Sequence, residues 1–471
     1  MVSKLSTREK IISGVCVLFG VALVFSGRSL PEVSAREGAS SNLFEELKTF
    51  TDVLSVVKRD YVSDVENKKL VEGAIKGLLS TLDPHSGYLD PDFYQDLQVQ
   101  TKGEFGGLGI EITIKDGLLV VVAPMEGSPA ERAGVRPGDV IVKIDGKYTK
   151  EFSLVDAVKR LRGPKGSPIQ ISISRKGVSD LLDITIVRDN IAVHSVKSRY
   201  LGDGFGYVRV SQFMEHTADD LKSALDSLQK QSGLPELRGL ILDLRNNPGG
   251  LLAQAVRVSD MFLKDGVIVY TDGRVDAQKQ KFFAREKDTQ PEYPIVVLVN
   301  GGSASASEIV AGALKDHGRA LVLGTQTFGK GSVQTITPLE NGGALTLTTA
   351  LYYTKSGNSI QARGVKPDIA VEDETTGSED AAAGAQRSPI GELREEDLPG
   401  AIGNPSENEG ADQSSPMKKI NKTPTIRPDL SAINPEKEDI QVWEKKDAQF
   451  RRALDLLKTF SVFKPSQGSD T

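Results

Sequence analysis

A run of small residues in the second half of the chain joins a predicted buried strand to a predicted helix. The strand covers residues 295–300, and the run reads G-G-S-A-S-A-S-E over residues 301–308. A hydroxyl at a helix N-terminus suits a nucleophile, because unpaired N–H groups and the helix dipole favour developing negative charge. Ser303, Ser305 and Ser307 compete for this role, and serines at helix starts are often only N-caps. The run by itself therefore leaves the nucleophile open.

A second glycine-rich turn, G-T-Q-T-F-G-K-G over residues 324–331, places Lys330 between two glycines. Backbone can approach closely on both sides and bury the amine, which must be neutral to act as a base. Lowering its pKa from ~10.4 to ~7.5 takes about 4 kcal/mol of desolvation or unfavourable charge interaction, and no Asp or Glu lies within five residues of Lys330. Gln334 could orient the amine if the strand bends, because a regular strand separates the two Cα atoms by ~13 Å.

The same turn has a rival interpretation as a phosphate-binding P-loop. Residues 324–330 match the first seven positions of that motif, but Gly331 occupies the place of the Ser or Thr that binds magnesium. Residues 332–336 also continue as a strand, where a phosphate-binding loop needs a helix. We therefore exclude an ATPase or GTPase.

A third strand-to-helix turn reads D-L-R-N-N-P-G-G-L over residues 243–251, and its glycines could present N–H groups to an oxyanion. Asp243 and Arg245 could be catalytic, but the preferred interpretation is that they hold the strand end in place. A histidine-based triad is the alternative chemistry, and it would need His85 or His317 next to Ser305.

Composition narrows the function classes further. The chain has 471 residues, 58 Lys+Arg against 64 Asp+Glu (net charge −6), 38% hydrophobic residues and 26% charged residues, a globular balance. A single Cys excludes a disulfide framework, and four scattered His give no zinc-ligand spacing. We expect no metal and no cofactor. The acidic balance also argues against nucleic-acid binding.

The N-terminus has the pattern of an export signal. Lys4, Arg8 and Lys10 precede an uncharged run over residues 11–25, and V-S-A at residues 33–35 offers a cleavage site. We predict a signal peptide over residues 1–35, with an uncleaved inner-membrane anchor as the alternative. Either would place the chain in the periplasm or cell envelope.

The remaining chain divides by its hydrophobic periodicity. We predict a helical region at residues 36–100, a β-rich module at 101–189 and alternating strands and helices at 190–371. Residues 372–437 are acidic and rich in Ser, Gly and Pro, which predicts a disordered linker. We predict an amphipathic helix over residues 438–462. Its apolar stripe, which includes Trp443, Phe450 and Leu457, could dock on this chain's own core or on a second copy.

Glycines begin the first strand of the β-rich module. Backbone N–H groups there could converge on a free peptide carboxylate, and the peptide could add to the sheet as a strand. The candidate substrate-binding residues are Gly106, Gly107, Leu108, Gly109 and Ile110. The segments G-S-P-A, A-G-V, P-G-D-V-I and I-D-G follow in order, and the module resembles a PDZ domain.

Several motifs follow one another along the chain: the PDZ-like module, then D-L-R-N-N-P-G-G, S-A-S-A-S-E and G-K-G-x-x-Q. Two shorter motifs flank them, L-D-P-H-S at residues 82–86 and G-V-K-P-D at residues 364–368. This series resembles the carboxyl-terminal processing peptidases, the tail-specific serine proteases. The resemblance implies an α/β and β fold, with a crotonase-like α/β peptidase core, an inserted PDZ domain and an N-terminal helical region.

It also implies roles for individual residues. Ser305 would be the nucleophile, Lys330 the base and Gln334 the residue that orients it, while the backbone N–H groups of Gly250 and Ala306 would form the oxyanion hole. Arg162, in L-R-G-x-x-G, is a candidate for relaying a signal from the PDZ domain.

We therefore expect an exported serine endopeptidase, independent of ATP and metals, that recognises protein C-terminal tails and cleaves by a Ser/Lys acyl-enzyme mechanism. The alternative is a PDZ scaffold with an inactive peptidase core. Expected partners are protein or peptide substrates bound by their C-termini, with an adaptor protein and a second copy of the chain as further candidates.

Overall fold

The computed structural model describes residues 37–372, 393–407 and 439–463. The chain divides into two compact units, the first ending at Gly73 and the second beginning at Ala74. None of the helices within these described ranges is long and apolar enough to cross a membrane. The signal predicted over residues 1–35 lies outside them.

The described chain contains both helices and strands. The helices are α1 (Glu37–Asp60), α2 (Asn67–Leu79), α3 (Pro91–Lys102), α4 (Pro129–Arg132), α5 (Leu154–Leu161), α6 (Thr217–Ser232), α7 (Leu252–Asp260), α8 (Ala306–Asp316), α9 (Ile440–Lys446) and α10 (Ala448–Phe463). The strands are β1 (Gly87–Leu89), β2 (Glu104–Gly107), β3 (Ile110–Lys115), β4 (Leu118–Pro124), β5 (Val140–Ile144), β6 (Lys147–Tyr148), β7 (Pro168–Ser174), β8 (Leu182–Val187), β9 (Asp189–Ala192), β10 (Val196–Gly202), β11 (Phe205–Val210), β12 (Gly239–Asp243), β13 (Val267–Gly273), β14 (Gln280–Phe283), β15 (Ile295–Val299), β16 (Leu321–Gly324), β17 (Ser332–Pro338), β18 (Ala344–Tyr353) and β19 (Ile369–Ala370).

Helix α1 belongs to the first unit and has the amphipathic spacing that the sequence predicts. Several of its apolar side chains are nevertheless exposed, namely those of Leu43, Phe44, Leu47 and Phe50. Apolar residues at helical spacing normally face a partner surface.

A six-stranded sheet organises the peptidase core, in the order β10-β11-β12-β15-β16-β19. Strands β10 and β11 are antiparallel, and the other neighbours are parallel, as the predicted βαβ pattern requires. Successive side chains of a strand point to opposite faces. Leu240 and Leu242 accordingly pack in the core that contains residues of α6, α7 and α8, whereas Ile241 packs with residues of α9 and α10.

A second, antiparallel sheet carries the chain that follows the lysine turn. Its order is β1-β18-β13-β14, with β17 also paired to β18. The β17–β18 register shifts between Val333 and Gln334. The irregularity lies next to Gln334, but Gln334 makes no hydrogen bond to Lys330.

The β-rich module has its own core, formed by strands β3, β4, β5, β7 and β8 with helices α4 and α5. Strands β2 and β9 pair antiparallel where the chain enters and leaves it. The module is therefore inserted into the chain as a compact excursion, as expected for an inserted PDZ domain.

The chain after β19 differs from the prediction in two respects. Residues 393–407, within the predicted disordered linker, are folded: Glu395 and Asn404 are buried, and Glu395 bonds to His85 and Gln361. The prediction is wrong there because acidic composition does not reveal a buried partner. The rest of the linker lies outside the described residues.

The predicted C-terminal helix is two helices, α9 and α10, separated at Asp447, whose Oδ1 accepts a hydrogen bond from the Phe450 N–H at 2.9 Å. Trp443 stacks on Phe450 with ring centroids 3.9 Å apart, and both rings meet Tyr207 edge-on. Of the two docking sites left open by the sequence, the structure shows the chain's own core.

Candidate active site

Ser305 lies between strand β15 and helix α8, in a strained conformation. Its φ is 55° and its ψ −113°, a backbone conformation that residues other than glycine rarely adopt. Its backbone N–H donates to Glu308 Oε2 at 2.7 Å, so the carboxylate caps this end of the helix. The hydroxyl of Ser305 is left free of hydrogen bonds within the described part of the chain.

The other two serines of the run have structural roles. Ser303 Oγ donates to the Leu244 carbonyl at 2.8 Å, and Ser307 Oγ donates to the Asn247 carbonyl at 2.9 Å. Both residues are fully buried, whereas Ser305 is partly exposed. The structure therefore favours Ser305 among the three candidates.

The turn after β12 packs directly against Ser305. A Cβ on Gly249 would lie 2.8 Å from the Ser305 Cβ and 3.0 Å from the Ala306 nitrogen, so only glycine fits this contact. The Asn247 carbonyl joins the two turns by accepting the Ala304 N–H at 3.0 Å.

The two backbone N–H groups expected to form an oxyanion hole have no acceptor. Gly250 has φ 136°, and the N–H groups of Gly250 and Ala306 donate to no atom of the described residues. Unpaired donors beside a serine hydroxyl can stabilise negative charge on a substrate oxygen.

Lys330 is partly buried in the loop between β16 and β17. Burial lowers the pKa of its amine, as a base requires, while the negative charges of Glu395, Asp83 and Glu308 oppose this shift. The sequence places no acidic residue near Lys330, but the fold brings these three from distant segments.

Glu308 links the serine and lysine loops, and sequence reasoning assigned it no role. Its buried carboxylate accepts from Ser305 N–H (2.7 Å), Lys330 N–H (2.9 Å), Gly329 N–H (2.7 Å) and Thr327 Oγ1 (2.5 Å). Burial raises the pKa of Glu308 to about 7, against the effect of these bonds. The available signal was its position three residues after Ser305, where a carboxylate caps a helix.

The dyad itself is not closed by a direct contact. Across the described chain, no hydrogen bond joins the Ser305 hydroxyl to the Lys330 amine. Gln334 Nε2 donates to Ser332 Oγ at 3.0 Å and to Thr348 Oγ1 at 3.3 Å, not to Lys330. Catalytic hydrogen bonds are often loose before substrate binds. The role of Gln334 stays a prediction.

The two histidines considered for a triad bond elsewhere. His317 Nε2 bonds to the Val267 carbonyl at 2.8 Å, and His85 Nε2 bonds to both carboxylate oxygens of Glu395 at 2.8 and 2.9 Å. Neither bonds to Ser305.

Asp243 and Arg245 form a buried ion pair at 2.7 Å, and Arg245 also bonds to Asp447 at 2.8 Å. The interpretation that they hold the strand end in place agrees with this network.

The candidate peptide-binding residues of the β-rich module fall into two groups. Gly106 and Gly107 lie in β2, paired with Asn190 and Asp189, and Ile110 begins β3. Leu108 and Gly109 lie between the strands, and their N–H groups donate to no described atom. These two residues are therefore the better placed to bind a carboxylate.

Arg162 follows α5, and its guanidinium lies between two elements. It donates to Asp96 of α3 at 2.8 Å and lies over the Phe105 ring at 5.1 Å. It thus joins the module to the preceding helix, with no bond to Ser305 or Lys330.

Comparison with known proteins agrees with this arrangement. Peptidase family S41 matches residues 204–371, a PDZ domain family matches residues 120–175, and the family of the activating protease CtpB N-terminal domain matches residues 19–93.

Relatives of known name match most of the chain. A carboxy-terminal-processing protease of Bartonella bacilliformis is 52% identical over 358 residues, covering 76% of this chain and 82% of the relative. Carboxy-terminal processing protease CtpA of Bacillus subtilis is 38% identical and covers 67% of each. A solved photosystem II D1 C-terminal processing protease is 33% identical over 70% of this chain and 88% of its own, with a TM-score of 0.41. The chain therefore belongs to peptidase family S41, as a serine-type carboxy-terminal processing peptidase with a PDZ domain.

Proposed function

We propose that this peptidase is exported, binds protein C-terminal tails through its PDZ domain and cleaves inside the chain by Ser305/Lys330 acyl transfer. The observation that supports it best is the strained backbone of Ser305, next to N–H groups of Gly250 and Ala306 that donate to no described residue. Glu308 bonds to the backbone of both Ser305 and Lys330.

In the acylation step, Ser305 Oγ attacks the carbonyl carbon of the scissile bond while the neutral Lys330 amine takes its proton. The carbonyl oxygen becomes negatively charged and accepts hydrogen bonds from the Gly250 and Ala306 N–H groups. The C–N bond then breaks, and Lys330 returns the proton to the leaving amine. Ser305 is left as an ester.

Hydrolysis repeats the steps with water. Lys330 takes a proton from the attacking water, the ester C–O bond breaks, and the proton goes back to Ser305 Oγ. The N–H groups of Leu108 and Gly109 would hold the substrate's terminal carboxylate until the C–N bond breaks, after which this carboxylate leaves with the amine fragment.

The experiment compares cleavage of an unfolded protein by the wild type, Ser305→Ala and Lys330→Ala. Each variant should lose about 10³-fold or more in rate, since members of such a dyad act as a unit. Ser227→Ala and Lys222→Ala, on the exposed face of α6, are matched controls. Cleavage that survives both active-site changes would overturn the proposal.

Tail recognition has a separate test. A substrate with a free C-terminal carboxylate should be cleaved faster than the same chain with an amidated C-terminus. Equal rates would count against carboxylate binding, whereas tail binding without any wild-type cleavage would support the inactive scaffold.

Export is supported by the basic and then apolar N-terminal pattern of residues 1–35. In cells that make the full chain, we expect a mature N-terminus at Arg36 in the periplasmic or envelope fraction. A membrane-bound chain that keeps Met1 would support the anchor instead, and a soluble cytoplasmic chain would contradict export.

We also propose a protein partner, an adaptor or a second copy, for the exposed apolar face of α1. The match to the CtpB N-terminal domain family supports this assignment. Light scattering of the mature chain distinguishes an oligomer from a monomer.

A further inference from the structure

Residues 393–407, which we call the post-core segment, lie beyond the stretch matched by the peptidase family and fold against the lysine loop. The Glu395 N–H donates to the Phe328 carbonyl at 3.1 Å, two residues before Lys330. This bond attaches the segment to one side of the lysine.

The other side is held through Gln361, which is fully buried. Its Oε1 accepts from the Gly331 N–H at 2.9 Å, and its Nε2 donates to Glu395 Oε1 at 3.1 Å and to the Ile402 carbonyl at 2.9 Å. Asn404 Nδ2 donates to the Gln361 carbonyl at 2.7 Å. The post-core segment therefore brackets Lys330 from Phe328 to Gly331.

Glu395 is the buried charged side chain of this segment, only 1% exposed. A carboxylate removed from water must be hydrogen-bonded, and both oxygens of Glu395 bond to His85 Nε2 while one also bonds to Gln361. These partners fix the position of the carboxylate, whose charge acts on the Lys330 amine.

Several charged groups face the lysine from different elements. Glu308 comes from α8, Asp83 from the loop before β1, and Glu395 from the post-core segment, with His85 bonded to Glu395. Glu308 and Asp83 are each bonded to backbone N–H groups of their surroundings. The negative charge of Glu395 raises the pKa of the Lys330 amine, against the effect of burial.

We propose that Glu395 is a positioning residue of this peptidase: its carboxylate, locked between His85 and Gln361, fixes the charge that Lys330 faces and thereby the pH range of catalysis. The proposal rests on the proposed function, in which Lys330 is the base.

The test is the pH dependence of kcat/KM in the full chain for Glu395→Gln, which keeps the shape and removes the charge. With one negative charge fewer nearby, Lys330 loses its proton at lower pH. The pH at which kcat/KM rises should move down by about one unit, and below that pH the variant should be up to about tenfold faster than the wild type. Glu396→Gln is the matched control, because Glu396 is adjacent but exposed.

A second variant, His85→Lys, keeps the Glu395 carboxylate but places a permanent positive charge beside it. The pH at which kcat/KM rises should again move down, as in Glu395→Gln. A purely structural role would lower the rate without moving this pH, so an unmoved rise in a folded variant overturns the proposal.

Failure of the proposed function gives a different result. If the wild-type rate does not rise with pH, or if Lys330→Ala keeps its activity, the Ser/Lys mechanism itself is wrong. If the wild-type rise with pH is present and depends on Lys330 but does not move in Glu395→Gln, only the role of Glu395 is wrong.

Discussion

At the scale of single residues, Glu308 is the group that bonds to the backbone of both proposed dyad residues. Its Oε2 accepts hydrogen bonds from the backbone N–H groups of Ser305 and Lys330. Its Oε1 accepts them from the backbone N–H of Gly329 and the hydroxyl of Thr327. Each oxygen therefore faces two donors, and neither position suits an amide N–H2 group.

We expect Glu308→Gln to lower kcat by about 10²-fold or more, since small misplacements of catalytic groups are costly. Binding of a tail peptide should be unchanged. Asp156→Asn is the matched control, because Asp156 also caps its helix by accepting an N-cap N–H, at 3.1 Å from Ser153. Wild-type kcat in Glu308→Gln would show that the carboxylate does not hold the dyad.

The same carboxyl group predicts a pH dependence of stability. Its folded pKa of about 7 lies above the ordinary value of 4.5, so between these values the folded chain binds the proton more tightly than the unfolded chain does. The contribution of Glu308 to the free energy of unfolding should therefore fall by about 3 kcal/mol as pH rises through this window.

Urea unfolding of the wild type and Glu308→Gln at about pH 4 and about pH 8 checks this expectation. Relative to the wild type, the free energy of unfolding of Glu308→Gln should be higher at about pH 8 than at about pH 4. A difference that is constant, or that shifts toward the wild type, would contradict it.

At the scale of elements, helices α9 and α10 stabilise the sheet behind the active site through Asp447. Arg245 donates two hydrogen bonds to this carboxylate, at 2.9 and 2.8 Å, and both residues are buried. Arg245 also leads into the turn that carries Gly249 and Gly250.

Asp447→Asn should lower the free energy of unfolding by about 2 kcal/mol or more, because a buried guanidinium loses a charge-assisted pair of bonds. The Phe450 N–H keeps an acceptor in the variant. Asp455→Asn, exposed on α10, is the control. Equal urea midpoints for the two variants would contradict the role of Asp447.

The helices and strands differ in how far the sequence alone predicts them and their contacts. The strands and helices of the core were predictable because their apolar period is local, and the three turns because glycine and proline mark them. The apolar stripe with Trp443 and Phe450 indicates that a partner surface exists, but period alone does not say which surface. The bond from Lys330 to Glu308 spans 22 residues, and the effect of Glu395 on Lys330 depends on folding. Such long-range pairs leave no local pattern.

At the scale of the whole molecule, the PDZ module is tied to α3 by two ion pairs from the end of α5. Lys159 pairs with Asp92 at 2.6 Å, and Arg162 pairs with Asp96 at 2.8 Å. Arg162 also lies over the Phe105 ring, in the strand that leads to Leu108 and Gly109. This contact is the reason to expect Arg162, rather than Lys159, to relay a signal from the PDZ domain.

We expect Arg162→Ala to reduce the preference for a free over an amidated substrate tail, measured as a ratio of kcat/KM values. The reduction should be about two- to fivefold, the range of exposed ion pairs. Lys159→Ala removes the parallel pair without touching Phe105, so its ratio should stay at the wild-type value. If both variants lose the preference equally, the two ion pairs to α3 act together and Arg162 has no separate role. If neither does, Arg162 does not relay a signal from the PDZ domain.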